Sequence, residues 1–182
     1  VNMRFIDLDT VPWAYEAIST LADRGIINGR SDELFEPNDT VTREEFVKIC
    51  VNICGLDSSD KTVVFSDEVS GEWYTGYLKA AYDSGLVRGR DDGTFGIGEP
   101  VSRQDMAVIL YNIIKAHIDS VKEPQNKFDD AEIISEYAKD AVSCLSELGI
   151  INGTGDNLFS PLDTATRAEA AKMAFGILEY VK

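Results

Sequence analysis

Three arginines stand at the starts of helices, where a cation is out of place. Arg43, Arg103 and Arg167 lie in Thr42-Arg43-Glu44-Glu45, Ser102-Arg103-Gln104-Asp105 and Thr166-Arg167-Ala168-Glu169. The hydroxyl and the acid three residues later fit a capping box or a close variant of it. The hydroxyl accepts from a backbone N–H one turn ahead, and the acid reaches back to the cap. The acids also suit the positive end of the helix dipole, whereas an arginine at the first helical position opposes it by ~0.3–1 kcal/mol. Three such placements in one chain point to a use, and two uses fit. One is a salt bridge within the molecule, to the acid of another copy of the motif. The other is an anion site, where free backbone N–H groups and a planar guanidinium converge on one spot. A carboxylate held there gains ~1.5–3 kcal/mol per charge-assisted hydrogen bond.

The arginines recur because the whole unit recurs. Each lies eighteen residues after the first glycine of Gly25-Ile26-Ile27-Asn28-Gly29, Gly85-Leu86-Val87-Arg88-Gly89 or Gly149-Ile150-Ile151-Asn152-Gly153, and Phe35, Phe95 and Phe159 lie ten after it. Repetition of this length without internal gaps means three copies of one supersecondary unit, each too small to stand alone. The copies are drawn at 1–57, 61–118 and 124–182 as one cooperative assembly, with linkers at 55–60 and 119–126.

Each copy opens on an aromatic and an acid: Phe5-Ile6-Asp7, Phe65-Ser66-Asp67 and Phe128-Asp129-Asp130. A helix follows, predicted from about Pro12 to Arg24 in the first copy, with Pro12 suited to the first helical position. Trp13, Trp73 and Tyr137 stand at matching points, twelve residues before each glycine. The glycine ends the helix, because it reaches the left-handed conformation of a C-cap without steric cost. A polar turn comes next, and the lone phenylalanine pins it to the core. The second helices, through Phe46–Ile53, Met106–Tyr111 and Ala170–Leu178, are apolar around most of their circumference. Helices of that kind are buried on several sides. The fold class is therefore all-α: three tandem helix-loop-helix repeats, with the second helices as a central three-helix bundle and the first helices outside.

Composition narrows the function. A net charge of −15 over 182 residues argues against duplex DNA or an anionic membrane surface as partner. No apolar run reaches the ~18–20 residues of a membrane helix, so no membrane insertion is expected. Cys50, Cys54 and Cys144 read as small apolar residues rather than a disulfide framework. The single histidine, His117, has no partner at ligand spacing, so neither metal nor cofactor is expected. The chain begins directly in a motif, as expected of a piece of a longer protein or a mature form.

The series Phe-x-Asp, Trp, Gly-Ile-Ile-x-Gly, Phe-x-Pro and Thr-Arg-Ala-Glu, three times over from Phe5 to Phe175, resembles the S-layer homology domain. The third copy keeps Thr166-Arg167-Ala168-Glu169 intact, and the second, with Ser102-Arg103-Gln104-Asp105 and Ile97 for the proline, strays furthest. The resemblance implies a pseudo-threefold spindle that acts as a monomer. It implies a non-catalytic, extracellular module that anchors bacterial surface proteins to secondary cell-wall polysaccharide, often glycan bearing a pyruvate ketal. The glycan would lie in grooves between adjacent repeats. The implied glycan-binding residues are Arg43, Arg103 and Arg167, with Asp7, Asp67 and Asp130, and with Trp13, Trp73 and Tyr137. Beside this implication, an indole face suits a sugar ring, but the tryptophans equally suit a core, and the aspartates equally suit caps before the first helix.

Other classes are weaker. No Ser/His/Asp or Cys/His set exists for an enzyme, although carboxylates alone leave a glycosidase conceivable. Asp91-Asp92-Gly93 has the look of a calcium loop but lacks the alternating ligands and distal Glu. A protein–protein module that assembles a surface lattice is the remaining alternative.

Overall fold

The computed structural model describes residues 5–118 and 127–181. The second linker, 119–126, lies outside the described residues. The described residues form six α-helices: α1 Tyr15–Asp23, α2 Arg43–Cys54, α3 Thr75–Asp83, α4 Arg103–Ile114, α5 Lys139–Glu147 and α6 Arg167–Phe175. Among the described residues the only β-type pairs are isolated bridges, so the fold is all-α. Each repeat is one odd and one even helix.

The predicted first helix divides in two. Pro12–Ala14 forms a 3₁₀ turn, and α1 begins only at Tyr15. The Ala14 N–H reaches back three residues, to the Val11 carbonyl, which tightens the entry to the helix. Gly25, Gly85 and Gly149 follow the odd helices with φ of 70°, 75° and 70°, the left-handed geometry expected of them. The Phe35, Phe95 and Phe159 pins are fully or almost fully buried. Each stacks obliquely on the aromatic that opens its repeat, Phe5, Phe65 or Phe128, at 5.2–5.4 Å between ring centres.

The even helices meet at the centre, where α2 packs against both α4 and α6. Their buried side chains include Phe46, Val47 and Val51 of α2, Met106 and Leu110 of α4, and Ala170, Ala171 and Ala174 of α6. Burying a leucine-sized side chain contributes ~1.5–3 kcal/mol. The odd helices lie outside, each on the even helix of the preceding repeat: α3 on α2, α5 on α4 and α1 on α6. The last of these pairs brings the final repeat back to the first. The same circuit runs through the backbone. The Val101 N–H donates to the Val41 carbonyl, Val41 to Ala165, and Ala165 back to Val101.

Full capping boxes hold α2 and α6, through Thr42 with Glu45 and Thr166 with Glu169. At α4 the box is half made. The Ser102 hydroxyl accepts from the Asp105 N–H, but the Asp105 carboxylate is one methylene shorter than glutamate and bonds elsewhere.

Candidate functional site

The motif arginines do not point into their own repeats. The Arg43 Nε donates to the Phe95 carbonyl at 2.9 Å, Arg103 to Phe159 at 2.8 Å, and Arg167 to Phe35 at 2.9 Å. Each guanidinium lies over the ring of the same phenylalanine, 4.5–5.1 Å from its centre. A planar cation on an aromatic face gains ~0.5–2 kcal/mol depending on its exposure. Every arginine therefore locks its repeat to the next, and Arg167 locks the third to the first.

What remains of each guanidinium differs. Arg43 Nη1 donates to Asp105 Oδ2 at 2.5 Å. Arg103 donates to Glu169 Oε1 at 3.2 Å and to the Asn152 carbonyl at 3.0 Å, and it is only 5% exposed. Arg167 donates through Nη2 to the Asn28 carbonyl at 2.9 Å. Among the described residues it forms no ion pair, and its Nη1 has no hydrogen-bond partner. Of the two uses left open by the sequence, the salt bridge occurs at Arg43 and Arg103, whereas Arg167 has no acid partner among the described residues.

Arg167 borders an open cleft of about 290 Å³ that also meets Asn28, Arg30, Glu45, Lys48 and Trp73. All three repeats contribute to it. The volume lies near the lower end of the ~300–1,000 Å³ of ligand pockets. Trp73 is 46% exposed, and the Lys48 ammonium stands 5.4 Å from its ring centre, presenting an indole face beside positive charge. Burial first, and then the like charge of Arg30, push the Arg167 guanidinium below its ordinary pKa, against the opposing pull of Glu45, Asp39 and Glu36. Gly29 is required in the cleft wall, because a Cβ there would come within 2.5 Å of the Leu34 carbonyl and the Phe5 ring.

In the corresponding place at Arg43 the side chains bond to one another. The Tyr137 hydroxyl donates to Asp105 Oδ1 at 2.7 Å and accepts from Gln104 Nε2 at 3.1 Å. Val108 stands where Lys48 stands in the first repeat. Burial, together with the bond to Asp105, pushes the Tyr137 phenol up to about 12. A phenol raised in the folded state stabilises the fold fully below its ordinary value, near ~10, and ceases to do so as pH rises through the folded value. The stability difference between the wild type and Tyr137→Phe should therefore shrink between about pH 10 and pH 12, as read by urea denaturation at a series of pH values.

The acid and aromatic candidates also separate. The Asp7 carboxylate accepts from the Phe35 and Glu36 N–H groups, Asp67 from Phe95, Gly96 and Ile97, and Asp130 from Phe159 and Ser160. Asp7 and Asp130 make no side-chain cap to the 3₁₀ turns that follow them. Instead the aspartates tether the loop that carries the phenylalanine. The tryptophans are not core residues, since Trp13 is 50% exposed. The turn bearing Trp13 packs on α6, the helix that carries Glu169. Arg30 and Lys48 were not among the sequence candidates. The signal for Lys48 was a lone cation on an otherwise apolar stretch of α2, and Arg30 was hidden in a turn read only as polar.

The S-layer homology domain family model matches residues 4–47, 64–107 and 127–171, one segment per repeat. The chain belongs to the S-layer homology domain family. The family's modules anchor S-layer proteins and surface enzymes to the cell wall. Similar proteins include an amylopullulanase of Thermoanaerobacterium thermosulfurigenes, 35% identical over 92% of this chain and 9% of its own length. An exoglucanase, XynX, of Acetivibrio thermocellus is 36% identical over 92% of this chain and 16% of its own. The S-layer protein sap of Bacillus anthracis is 32% identical over 92% of this chain and 20% of its own. The S-layer homology chain thus spans a fifth or less of these relatives. No helix among the described residues is long and apolar enough to cross a membrane.

Proposed function

We propose that this module tethers a larger surface or S-layer protein to the bacterial cell wall by binding anionic, ketal-pyruvylated secondary cell-wall polysaccharide. The cleft at Arg167 is its principal site. The ketal carboxylate sits at Arg167, with Lys48 and Arg30 adding positive charge, and a sugar ring lies against the exposed face of Trp73. The observation that carries this reading is the state of Arg167 among the three motif arginines. Among the described residues it has no acid partner, and it borders a cleft lined by a half-exposed indole. The negative charge of the whole chain gives no long-range attraction, so binding rests on these local cations.

The test is a pull-down and titration with purified secondary cell-wall polysaccharide, before and after removal of its pyruvate. Arg43→Ala, Arg103→Ala and Arg167→Ala are compared singly and together. Arg167→Ala should weaken binding about tenfold or more while the protein stays folded, since one charge-assisted bond is worth ~1.5–3 kcal/mol and every ~1.4 kcal/mol is tenfold. Depyruvylated glycan should lose a comparable amount, and Arg167→Ala should no longer discriminate between the two glycans. Unchanged binding by a folded Arg167→Ala variant would sink the assignment.

A further inference from the structure

We infer that Arg30 is a positioning residue that keeps Arg167 available to an anion by holding Glu45 away from it. The inference rests on the Arg167 site proposed above and concerns what keeps that site open.

The three repeats should be alike here. Each even helix carries a cap acid, Glu45, Asp105 or Glu169, beside the motif arginine of the preceding repeat. In two interfaces that acid takes the arginine, as Asp105 takes Arg43 and Glu169 takes Arg103. By position Glu45 belongs to Arg167. Instead Glu45 Oε1 accepts from Arg30 Nη1 at 2.5 Å, while its Oε2 accepts from the Thr42 N–H at 3.0 Å. Both oxygens are occupied, and Arg167 is left with two backbone carbonyls.

Sequence explains why only the first repeat does this. Arg90 stands in the place of Arg30 in the second repeat, but Glu99 holds it through two bonds, at 2.8 and 2.5 Å. In the first repeat the residue matching Glu99 is Asp39, one methylene shorter, and Arg30 turns to Glu45. In the third repeat the position is Thr154, which has no charge and pairs with Ser160. The arrangement holds two like charges, Arg30 and Arg167, around a single cleft. That is unfavourable in the empty protein and is relieved when an anion enters. Glu36 and Asp39 also face this region, but among the described residues neither pairs with Arg167.

The experiment compares wild type, Arg30→Ala, Glu45→Gln and the double variant by calorimetric titration with purified pyruvylated secondary cell-wall polysaccharide. Glutamine at this position retains the capping box. Arg30→Ala should bind about tenfold more weakly, because Glu45 then pairs with Arg167 and competes with the ligand. The double variant should return to wild-type affinity within about threefold, since it has no acid left to compete. If the double variant stays as weak as Arg30→Ala, Arg30 acts by touching the ligand itself and the inference is wrong. Unaltered binding by Arg30→Ala overturns it as well. A crystal structure of ligand-free Arg30→Ala provides a second readout, expected to show Glu45 Oε1 bonded to Arg167. A Glu45 that stays away from Arg167 rejects the inference regardless of affinity. Wild-type binding by Arg167→Ala, in contrast, counts against the site itself, and the crystallographic comparison still decides the role of Arg30.

Discussion

Arg103→Ala is expected to cost the fold about 3–5 kcal/mol, the range for removing one partner of a buried ion pair. The side chain makes three polar bonds, to the Phe159 and Asn152 carbonyls and to Glu169, and it stacks on the Phe159 ring. Alanine leaves both carbonyls and the partly buried Glu169 without that donor, and it opens space between the second and third repeats. Burial already presses the guanidinium below its ordinary pKa, against the attraction of Glu169, so solvent gives it little support. Domains carry only ~5–15 kcal/mol in total, so the loss should lower the melting temperature by roughly 6–20 °C. Thermal unfolding and urea titration measure it. A double-mutant cycle with Glu169→Gln should show coupling of ~1 kcal/mol or more. A cost below about 1 kcal/mol for Arg103→Ala would mean that this residue is not a lock between repeats. The contrast with Arg167→Ala is the useful one: the first variant should fail chiefly in stability, the second chiefly in glycan binding.

Asp67→Ala should also be strongly destabilising, by about 3 kcal/mol at neutral pH. The carboxylate accepts from three consecutive N–H groups, of Phe95, Gly96 and Ile97, at 2.7–2.9 Å. A part-buried donor left without an acceptor costs ~1–3 kcal/mol, less where water can enter. Burial acts to raise the Asp67 carboxyl, but the three donors together outweigh it and hold the group below its ordinary value. A depressed folded value means stability that is present above the unfolded pKa, near ~3.9, and lost as pH falls through the folded one. The deficit of Asp67→Ala should therefore be full at pH ~7 and should shrink below about pH 4, as read by urea unfolding at both. A deficit independent of pH would show that the carboxylate charge is not what holds the Phe95 loop.

The parts of the fold that were legible in the sequence are those set by local chemistry. A glycine at a helix end, a hydroxyl at a helix start and a phenylalanine amid polar residues each have one cheap local solution. Their spacing repeats because that solution repeats. The candidate site was harder to read, because its state depends on which of several acceptors a guanidinium reaches. Arg167 and Phe35 are 132 positions apart, and no local rule pairs them. Sequence treated the three arginines alike, whereas the second oxygen of each cap acid distinguishes them. That oxygen's partner depends on residues outside the motif: Glu99 against Asp39, Thr154 against Arg30. The tryptophans were equally ambiguous, since an indole beside a helix is core or surface according to which helix comes to lie on it. Asp7, Asp67 and Asp130 were left between a place in the groove and a cap. An acid before a helix suggests a cap, but here the longer-range tether to the phenylalanine loop wins, because it satisfies two or three donors rather than one.

The backbone circuit through Val41, Val101 and Ala165 has a consequence for how such modules can be enlarged. An open stack of repeats exposes a fresh docking face at its end, so it can grow by one unit at a time. Here each repeat gives its arginine to the following one, and the third gives to the first. Among the described residues all three phenylalanine carbonyls are taken by the three motif arginines, so a fourth copy would arrive with a donor and find those acceptors occupied. Copy number in such proteins is therefore expected to change by whole triplets, and a deletion of one repeat should leave two mismatched faces rather than a shorter anchor.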